Sequence, residues 1–447
     1  MKLSLLVILA LSTAAISCTE KNNYEAPPVV VQPPVIVQPA AQPQLEKLNP
    51  ICKPTQNLRS QKNTPIVVLV SVDGLRADYI QKHQPPNILN IIKQGIYTPD
   101  MLPSYPSLTF PNHYSLATGR YPGHHGIVSN VFYDTARKEK YDAFKFSTAN
   151  DGTWYKGEPI WNVVEKNGMI AHTIDWVGSS AHIGHMDPTC YTNYNGKITF
   201  AQKVDRALES LALPEESRPH FLTLYTSEVD DSGHATGPYS ENTKSALMNV
   251  DKELGRLWSK IQKTNLPVSL VVVSDHGMEQ LDSQKVIFLD DYIPLVDIPT
   301  YQYIDKGAAG LLYNSDPAKV TAAYEALKAN EKNFKVYLKG QTPPEFHMDD
   351  PTRTGDIVIV PDMPYYITFH PVQGQPLTLK AGTHGWAFEN KEMHAFFMAV
   401  GNKIAVKKTI PAFQNVDVYP FVLKLLGITT AVPFDGNVKT LKPYITK

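Results

Sequence analysis

Runs of apolar, mostly β-branched residues recur along the chain, and each of them ends in polar residues. The clearest runs are residues 66–70, 221–225 and 268–273. None alternates between apolar and polar positions, and continuous apolar runs of this length are typical of strands buried on both faces of a parallel sheet. The pattern therefore predicts three central strands in the core of a sheet.

Stretches of helical length separate these runs, notably residues 201–211 and 243–261. Strands that alternate with helices predict an α/β fold with a mostly parallel sheet flanked by helices. Acidic and imidazole side chains follow each strand, beginning with Asp73, Asp230 and Asp275. Open α/β sheets place their sites at the carboxyl ends of strands, so these residues are expected to converge.

Residues 291–366 interrupt the alternation of strands and helices. A helix is expected at 317–330, because Asp316 can cap it and Pro317 suits the first helical position. The interruption separates residues 291–366 from the α/β pattern of residues 63–290 and 367–447. No ligand-type residue stands out in this segment.

The N-terminus has the features of an export signal. Lys2 precedes an apolar run at 3–11, which is too short to span a bilayer, so residues 1–17 read as a signal peptide. Cys18 follows small residues as in a bacterial lipobox, which predicts its lipidation; an ordinary cleaved signal with an incidental cysteine is the alternative. Residues 18–62 are rich in proline and predict an extended tether, although a leader without a role would have the same composition.

Composition narrows the class of protein. Hydrophobic residues make up 43% of the 447 residues and charged residues 19%, enough for a large core. Lys plus Arg number 42 and Asp plus Glu number 43, so there is no positive excess for coating nucleic acid and no nucleic-acid partner is expected. Three cysteines are too few for a disulfide scaffold. Cys52 and Cys190 are a candidate disulfide in an exported protein.

Six side chains have the chemistry of zinc ligands, for which histidine nitrogen and carboxylate oxygen are suited. They are Asp73, Asp230, His234, Asp275, His276 and His384. Taken singly, each has an ordinary interpretation as a turn or a surface loop. Their joint occurrence after successive predicted strands favours a metal site, and hydrolytic metal pairs act together on one phosphate.

Thr109 is the candidate nucleophile. Its hydroxyl is inert at its free pKa and needs a base or a metal for activation. Pro106 and Pro111 would restrain the segment around it, and the helix that follows would favour an anion at its N-terminus. The alternative is that Thr109 only caps that helix. Spacing in the sequence does not separate the two.

Seven blocks, in order, closely resemble the nucleotide pyrophosphatase/phosphodiesterase family of the alkaline phosphatase superfamily. They are Val72-Asp73-Gly74-Leu75-Arg76, Thr109-Phe110-Pro111-Asn112-His113-Tyr114, Leu116-Ala117-Thr118-Gly119, His125-Gly126-Ile127-Val128-Ser129-Asn130, Asp230 to His234 with Gly237-Pro238, Ser274-Asp275-His276-Gly277-Met278 and Gly382-Thr383-His384-Gly385. The resemblance implies an alkaline-phosphatase-like catalytic domain formed by residues 63–290 and 367–447, with a small α+β insertion at 291–366. Together with the signal-like N-terminus and Cys18, it predicts an exported bacterial member, periplasmic or anchored to the outer membrane of a Gram-negative cell through a lipid.

The resemblance implies two Zn²⁺ ions per chain and assigns their ligands. Asp230, His234 and His384 would hold one ion, and Asp73, Asp275, His276 and the Thr109 oxygen the other. Thr109 would attack phosphorus in line to give a phosphothreonine, which water then hydrolyses. The Asn130 amide and the Thr109 backbone N–H resemble the family's donors to the phosphoryl oxyanion. Asn112 occupies a position that looks structural.

The expected substrate is a nucleotide diester or pyrophosphate, cleaved to a nucleoside 5′-monophosphate. Phe110 and Tyr225 match the aromatic positions that hold the base in relatives, whereas Trp176 fits core packing at least as well. Two alternatives stay open. One is a phosphomonoesterase or a phospholipid-headgroup phosphodiesterase on the same scaffold, and the other is an inactive lipoprotein that only binds.

Overall fold

The structure is a computed structural model that describes residues 48–61, 63–406 and 408–446. The candidate signal peptide, Cys18 and most of the candidate tether lie outside the described residues. Among the helices in the described ranges, none is long and apolar enough to cross a membrane.

The strands of the described residues are numbered here in chain order. They are β1 (Ile51–Cys52), β2 (Ile66–Val72), β3 (Ile96–Leu102), β4 (Val131–Asp134), β5 (Glu139–Asp142), β6 (Ala171–Ile174), β7 (Cys190–Tyr191), β8 (Phe221–Thr226), β9 (Val268–Val273), β10 (Glu279–Gln280), β11 (Val286–Phe288), β12 (Tyr303–Ile304), β13 (Gly310–Tyr313), β14 (Phe334–Leu338), β15 (Ile357–Pro361), β16 (Tyr366–Thr368), β17 (Gly382–Thr383), β18 (Ala395–Gly401), β19 (Lys408–Thr409) and β20 (Phe413–Gln414).

The α-helices follow the same convention. They are α1 (Tyr79–His83), α2 (Pro86–Ile92), α3 (Thr109–Thr118), α4 (Pro122–His125), α5 (Phe146–Ala149), α6 (Ile160–Lys166), α7 (Phe200–Leu211), α8 (Glu228–Thr236), α9 (Glu241–Ile261), α10 (Pro317–Ala329), α11 (Val418–Leu425) and α12 (Val438–Leu441). Single turns of 3-10 helix lie at Arg59–Gln61, Gly152–Trp154, Ile183–His185, Leu289–Asp291, Ile298–Thr300, Pro344–Phe346, Lys391–Met393, Asn415–Asp417 and Lys442–Tyr444.

One large sheet organises the fold, with strand order β1-β7-β6-β8-β2-β9-β18-β3-β19, and β20 also pairs with β3. The pairs from β7 through β9 are parallel, whereas β1 and β18 run antiparallel to their neighbours. The alternation of strands and helices in the sequence thus corresponds to a mostly parallel sheet, and the predicted α/β class is confirmed.

The three predicted core strands lie side by side in the order β8-β2-β9, and all of their residues are buried. Their side chains alternate between two apolar clusters, one on each face of the sheet. Val67 and Leu69 of β2 join the first cluster, while Val68 and Val70 join the second. Burial on both faces explains why these runs show no polar alternation.

The predicted helices form with small changes at their ends. The helix predicted at 201–211 is α7, which begins one residue earlier because Thr199 and Gln202 form a capping box. The helix predicted at 243–261 is α9, which begins at Glu241 because the Ser240 side chain caps it. Helix α10 begins at Pro317 and is capped by the Asp316 side chain, as expected.

A second, antiparallel sheet of order β12-β13-β15-β14 lies between β11 and β16 in the chain. Together with α10 it encloses a separate apolar cluster that includes Leu312, Leu327 and Ile359. The assignment of residues 291–366 as a separate insertion stays a prediction. At the β1 end of the large sheet, a disulfide joins Cys52 of β1 to Cys190 of β7.

Candidate metal centre and active site

Six predicted ligands meet at one edge of the large sheet, although they come from distant parts of the chain. Asp73 directly follows β2, and Asp275 and His276 follow β9. Asp230 and His234 lie one turn apart on α8, which follows β8. His384 follows the short strand β17, which pairs with β10. The carboxyl ends of parallel strands share an edge, which is why these residues converge.

The first group consists of Asp230, His234 and His384. The Nε2 atoms of the two histidines are 3.2 Å apart. His234 Nε2 lies 3.4 Å from Asp230 Oδ2, and His384 Nε2 lies 3.5 Å from Asp230 Oδ1. Two imidazole nitrogens and a carboxylate this close together match the three protein ligands of catalytic zinc sites, which keep a fourth position open.

The second group consists of Asp73, Asp275 and His276, with Thr109 beside it. His276 Nε2 lies 2.9 Å from Asp275 Oδ2 and 3.5 Å from Asp73 Oδ1. Thr109 Oγ1 is 3.3 Å from the same nitrogen. The His276 ring also stacks on His384 with centroids 3.5 Å apart, so the two groups adjoin. Ligand atoms of Asp230, His276 and His384, and those of Asp73, Asp275 and His276, each lie within 4.8 Å of one another.

Each histidine is oriented by a hydrogen bond from its other nitrogen to a backbone carbonyl. The Nδ1 atoms of His234, His276 and His384 lie 2.8, 2.9 and 2.9 Å from the carbonyl oxygens of residues 382, 277 and 107. A carbonyl oxygen can only accept, so Nδ1 carries the hydrogen and the Nε2 lone pair faces the site. This is the usual arrangement that fixes histidine ligands of metals.

The carboxylates supply an independent test of whether this site suits a cation. Asp73 Oδ1, Asp230 Oδ1 and Asp275 Oδ2 are buried without a hydrogen-bond partner in the described structure. Burial, and then the nearby Asp275 carboxylate, raises the pKa of Asp73 well above its usual range. Burial also raises the pKa of Asp230. Such a cluster is costly without cations, and bound cations favour its ionised form, so these residues fit metal ions.

The pKa shifts of two further ligands, Asp275 and His384, favour the protonation states that metal binding requires. Burial favours the neutral form of Asp275, yet the imidazoles of His276 and His113 hold its pKa well below the usual range. Burial, followed by the neighbouring His276 and His234, lowers the pKa of His384 well below the usual range. An ionised carboxylate and a neutral imidazole are the ligand forms.

Thr109 does not cap its helix. Leu108 is the N-cap residue of α3, and Thr109 is the first helical residue, with its hydroxyl turned toward His276. The preceding loop is held by Asn112, whose amide donates to the carbonyls of Ser104, Pro106 and Leu108. The capping alternative is therefore wrong, and the structural role expected for Asn112 agrees with these bonds.

Asn130 lies next to the start of α3. Its Oδ1 accepts a hydrogen bond of 2.9 Å from the backbone N–H of Phe110. Since a backbone N–H can only donate, the amide nitrogen of Asn130 must face the other way. In the described part of the chain that nitrogen and the Thr109 backbone N–H have no protein acceptor. Both are free to donate to a bound group.

A cavity of about 500 Å³ opens beside Thr109. Its aromatic lining consists of Phe110, Phe144, Phe146, Trp176, Tyr194 and Tyr225. Within the described chain, its lining includes no lysine, arginine or histidine. The aromatic side chains suit a planar group, while the four aspartates of the lining, at positions 73, 175, 230 and 231, disfavour a negatively charged one unless cations are bound.

The predicted aromatic residues occupy different depths of this cavity. Phe110 is half-buried at the start of α3, whereas Tyr225 is almost buried and its hydroxyl donates to Asp73 Oδ2 over 2.6 Å. Trp176 is also buried and its indole N–H donates to the carbonyl oxygen of residue 113. Tyr225 therefore supports a candidate metal ligand as well as lining the cavity.

Sequence reasoning missed Tyr194, which is 59% exposed at the cavity rim with its ring centroid 6.1 Å from that of Tyr225. The signal in the sequence is weak, since Tyr194 stands between Asn193 and Asn195 in a polar loop without periodicity. The one feature of the sequence that could have indicated a functional role is a tyrosine in a stretch whose other residues are typical of a turn.

Comparisons with known proteins show which family and which sequences this chain resembles. Residues 67–387 match the family model described as type I phosphodiesterase / nucleotide pyrophosphatase. Human ectonucleotide pyrophosphatase/phosphodiesterase family member 1 is 35% identical over 385 residues, which cover 84% of this chain and 41% of that protein. Bis(5′-adenosyl)-triphosphatase from Xenopus laevis is 33% identical over 400 residues, covering 88% of this chain and 84% of that protein. The chain thus spans less than half of the human relative.

Solved structures agree with these matches. Murine ectonucleotide pyrophosphatase / phosphodiesterase 5 is 30% identical, covers 85% of this chain and all of its own, and superposes with a TM-score of 0.79. An inactive threonine-to-alanine variant of the same murine protein, in complex with AMP, superposes with the same TM-score over 86% of this chain.

Proposed function

The chain belongs to the type I phosphodiesterase/nucleotide pyrophosphatase family, and we propose that it hydrolyses phosphodiester or pyrophosphate bonds of nucleotides with two zinc ions and Thr109, releasing a nucleoside 5′-monophosphate. One observation carries the proposal. The Thr109 hydroxyl stands between the six-residue ligand cluster and the aromatic cavity, 3.3 Å from His276 Nε2.

The ligand chemistry supports zinc. Three imidazoles and three carboxylates suit this ion, whereas Mg²⁺ and Ca²⁺ prefer oxygen ligands throughout. Asp230, His234 and His384 would hold one ion, and Asp73, Asp275 and His276 the other. When bound, the ions would act as Lewis acids on phosphoryl oxygens and lower the pKa of the threonine hydroxyl.

Thr109 would form a bond from its Oγ1 to phosphorus as the bond to the leaving oxygen breaks, and the hydroxyl proton would be released to water or taken up by the leaving oxygen. The threonine then carries the nucleoside 5′-phosphoryl group, so with a diester substrate the phosphothreonine is itself a diester. Water attacks the same phosphorus, and the Thr109 oxygen departs with a proton. The Thr109 backbone N–H and the Asn130 amide are placed to donate to the phosphoryl oxygen on which charge develops.

The cavity supports a nucleoside as the retained part of the substrate. Phe110 and Tyr194 offer ring faces for a base, and base–aromatic stacking is worth about 1–3 kcal/mol per base. Inactivity of a threonine-to-alanine variant of the murine relative, and its complex with AMP, support both the nucleophile and the product. Among the described residues, the cavity lining also has none of the cationic side chains that a dianionic monoester would require, which favours a diester.

The test is a paired rate measurement on the zinc-loaded protein, with an aryl ester of a nucleoside 5′-monophosphate and an aryl phosphate monoester as substrates. We expect strong preference for the diester and release of the nucleoside monophosphate. Thr109→Ala should abolish turnover and keep the zinc content of the wild-type protein. Preference for the monoester would assign a phosphatase instead. Turnover of neither substrate would refute the proposal, and a phosphocholine ester would then test the headgroup alternative.

A further inference from the structure

His113 is a buried histidine that the proposed reaction leaves without a role. It lies one helical turn after Thr109 on α3, so both residues face the same side of that helix. Its exposed fraction is 0%, which keeps it from touching a substrate. Aromatic rings surround it, with Trp176 and Tyr225 at centroid distances of 5.4 and 5.1 Å.

The ring makes three polar contacts. Nδ1 lies 2.9 Å from the carbonyl oxygen of Thr109 and 3.2 Å from Asp275 Oδ2. Nε2 lies 2.8 Å from the hydroxyl of Ser71, a residue of β2. Both neighbours of Nδ1 are acceptors, so Nδ1 carries the hydrogen. In the neutral ring, the Ser71 hydroxyl then donates to Nε2 and fixes this tautomer.

The order Ser71–His113–Asp275 resembles the connectivity of a serine hydrolase triad. Ser71 is fully buried in the middle of the sheet, however, and no substrate reaches its hydroxyl. A nucleophile must meet the reacting atom, so the geometry excludes that role. The three residues instead form a buried support that connects the candidate metal ligand Asp275 to α3 and β2.

Asp275 depends on this support. Its Oδ1 accepts from the backbone N–H of Gly74 over 3.2 Å. The nearest side-chain nitrogens to its Oδ2 are those of His276, itself a candidate ligand, and His113. Outside the ligand set, His113 therefore supplies the nearest side-chain nitrogen to this oxygen, at an ion-pair distance, while its hydrogen bond goes to the Thr109 carbonyl. Partners of this kind orient ligating carboxylates, and their loss typically weakens metal binding 10- to 100-fold.

We propose that His113 is a positioning residue that holds the metal ligand Asp275 in register with the start of helix α3, and hence with the nucleophile Thr109. Nδ1 donates its hydrogen to the Thr109 carbonyl and also lies 3.2 Å from Asp275 Oδ2, so a shift of either group would change the contacts of this one nitrogen. The inference rests on the proposed function, because it takes Asp275 as a metal ligand and Thr109 as the nucleophile.

Two variants of His113 distinguish the contribution of Nδ1 from that of Nε2. In His113→Asn the amide nitrogen can take the place of Nδ1, whereas in His113→Gln it takes the place of Nε2. We expect His113→Asn to keep kcat and zinc affinity within about threefold of the wild-type values. His113→Gln should weaken zinc binding, measured by competition with a chromophoric chelator, by about 10- to 100-fold, with a similar loss of kcat and little change in KM.

A merely structural role gives a different result. Both variants would then lower the melting temperature of the apoprotein, and kcat and zinc affinity per folded molecule would not distinguish Asn from Gln. Equal zinc affinity in wild type and His113→Gln would overturn the proposal. Ser71→Ala is a milder second variant. It removes the hydroxyl that donates to His113 Nε2, so this bond no longer fixes the tautomer, and it leaves the imidazole ring in place. It should lower zinc affinity several-fold, and unchanged affinity would contradict the assigned tautomer.

Zinc competition also separates this inference from the proposed function. If the wild-type protein binds zinc but hydrolyses no nucleotide diester, the proposed function fails while the support of Asp275 is still measured. If the wild-type protein hydrolyses diesters and His113→Gln matches it in both assays, the positioning role alone fails.

Discussion

Replacing Asn130 tests the proposed stabilisation of the phosphoryl oxyanion. The hydrogen bond from the Phe110 N–H to Asn130 Oδ1 fixes which way the amide faces and leaves both amide hydrogens available. Asn130→Ala removes this donor without touching the metal ligands. Asn130→Asp keeps an acceptor for the Phe110 N–H but replaces the donor by a carboxylate oxygen.

The magnitude follows from what each side chain presents. Loss of one such donor in an oxyanion site costs about 100- to 1,000-fold in kcat, or about 2.7–4 kcal/mol. A like charge at about 4 Å adds about 1 kcal/mol even at the dielectric constant of water, and more in a cavity that excludes water. Asn130→Asp should therefore be at least about fivefold slower than Asn130→Ala.

Steady-state kinetics with the nucleotide aryl ester, at saturating zinc, measure both effects. KM should change little if the donor acts mainly in the transition state. Asn112→Ala serves as a contrast, since its bonds within the loop before Thr109 predict lower thermal stability as well as lower activity. A kcat for Asn130→Ala within threefold of wild type, with normal folding, would refute the assigned role of Asn130.

Four further predictions concern the rim, the metals, the core and the N-terminus. Tyr194→Ala should raise KM about 5- to 100-fold with kcat nearly unchanged, because about 1–3 kcal/mol of base stacking is lost; equal KM values would exclude stacking on Tyr194. Chelation should abolish activity and lower the melting temperature, since ions that bind only the folded state stabilise it; zinc should restore both and Mg²⁺ should not. Burial, and after it Arg206, lowers the pKa of His172 from 6.5 to about 4. The folded state then binds fewer protons than the unfolded state between these values, so stability falls as pH falls, by about 2.5 kcal/mol between pH 7.5 and 4.5. His172→Asn should remove that difference in urea unfolding of the apoprotein, and an unchanged pH dependence would contradict the assignment. If Cys18 is lipidated, Cys18→Ser should move the protein from the membrane fraction to the soluble fraction, and an unchanged distribution would support the ordinary signal.

The sheet could be predicted because its central strands carry a local signal. The run at 268–273 coincides with β9, and burial on both faces selects for apolar residues at every position. The metal ligands could be expected to converge for a related reason, since parallel strands end at one edge of the sheet. The family and the alkaline-phosphatase-like fold implied by the seven motif blocks are confirmed by the family match and the superposed structures.

Local sequence patterns do not determine features that depend on contacts between residues far apart in the chain. Cys52 and Cys190 are a candidate disulfide from the sequence alone, but whether they pair depends on the pairing of β1 with β7, which brings together residues that are 138 apart in sequence. Tyr194 reaches the cavity only because β7 delivers its loop to the rim. His113 belongs to a block that resembles the family, yet its contacts with Ser71 and Asp275 join three separate elements. The spacing of residues along the chain does not predict such contacts.

The stereochemical course at phosphorus tests the central claim most directly. A nucleotide diester made chiral at phosphorus with sulfur would be hydrolysed in water enriched in heavy oxygen, and the configuration of the released thiophosphate would be determined. Attack by Thr109 followed by attack of water involves two in-line displacements, so we predict net retention. Net inversion would show a single displacement by water and would contradict Thr109 as the nucleophile.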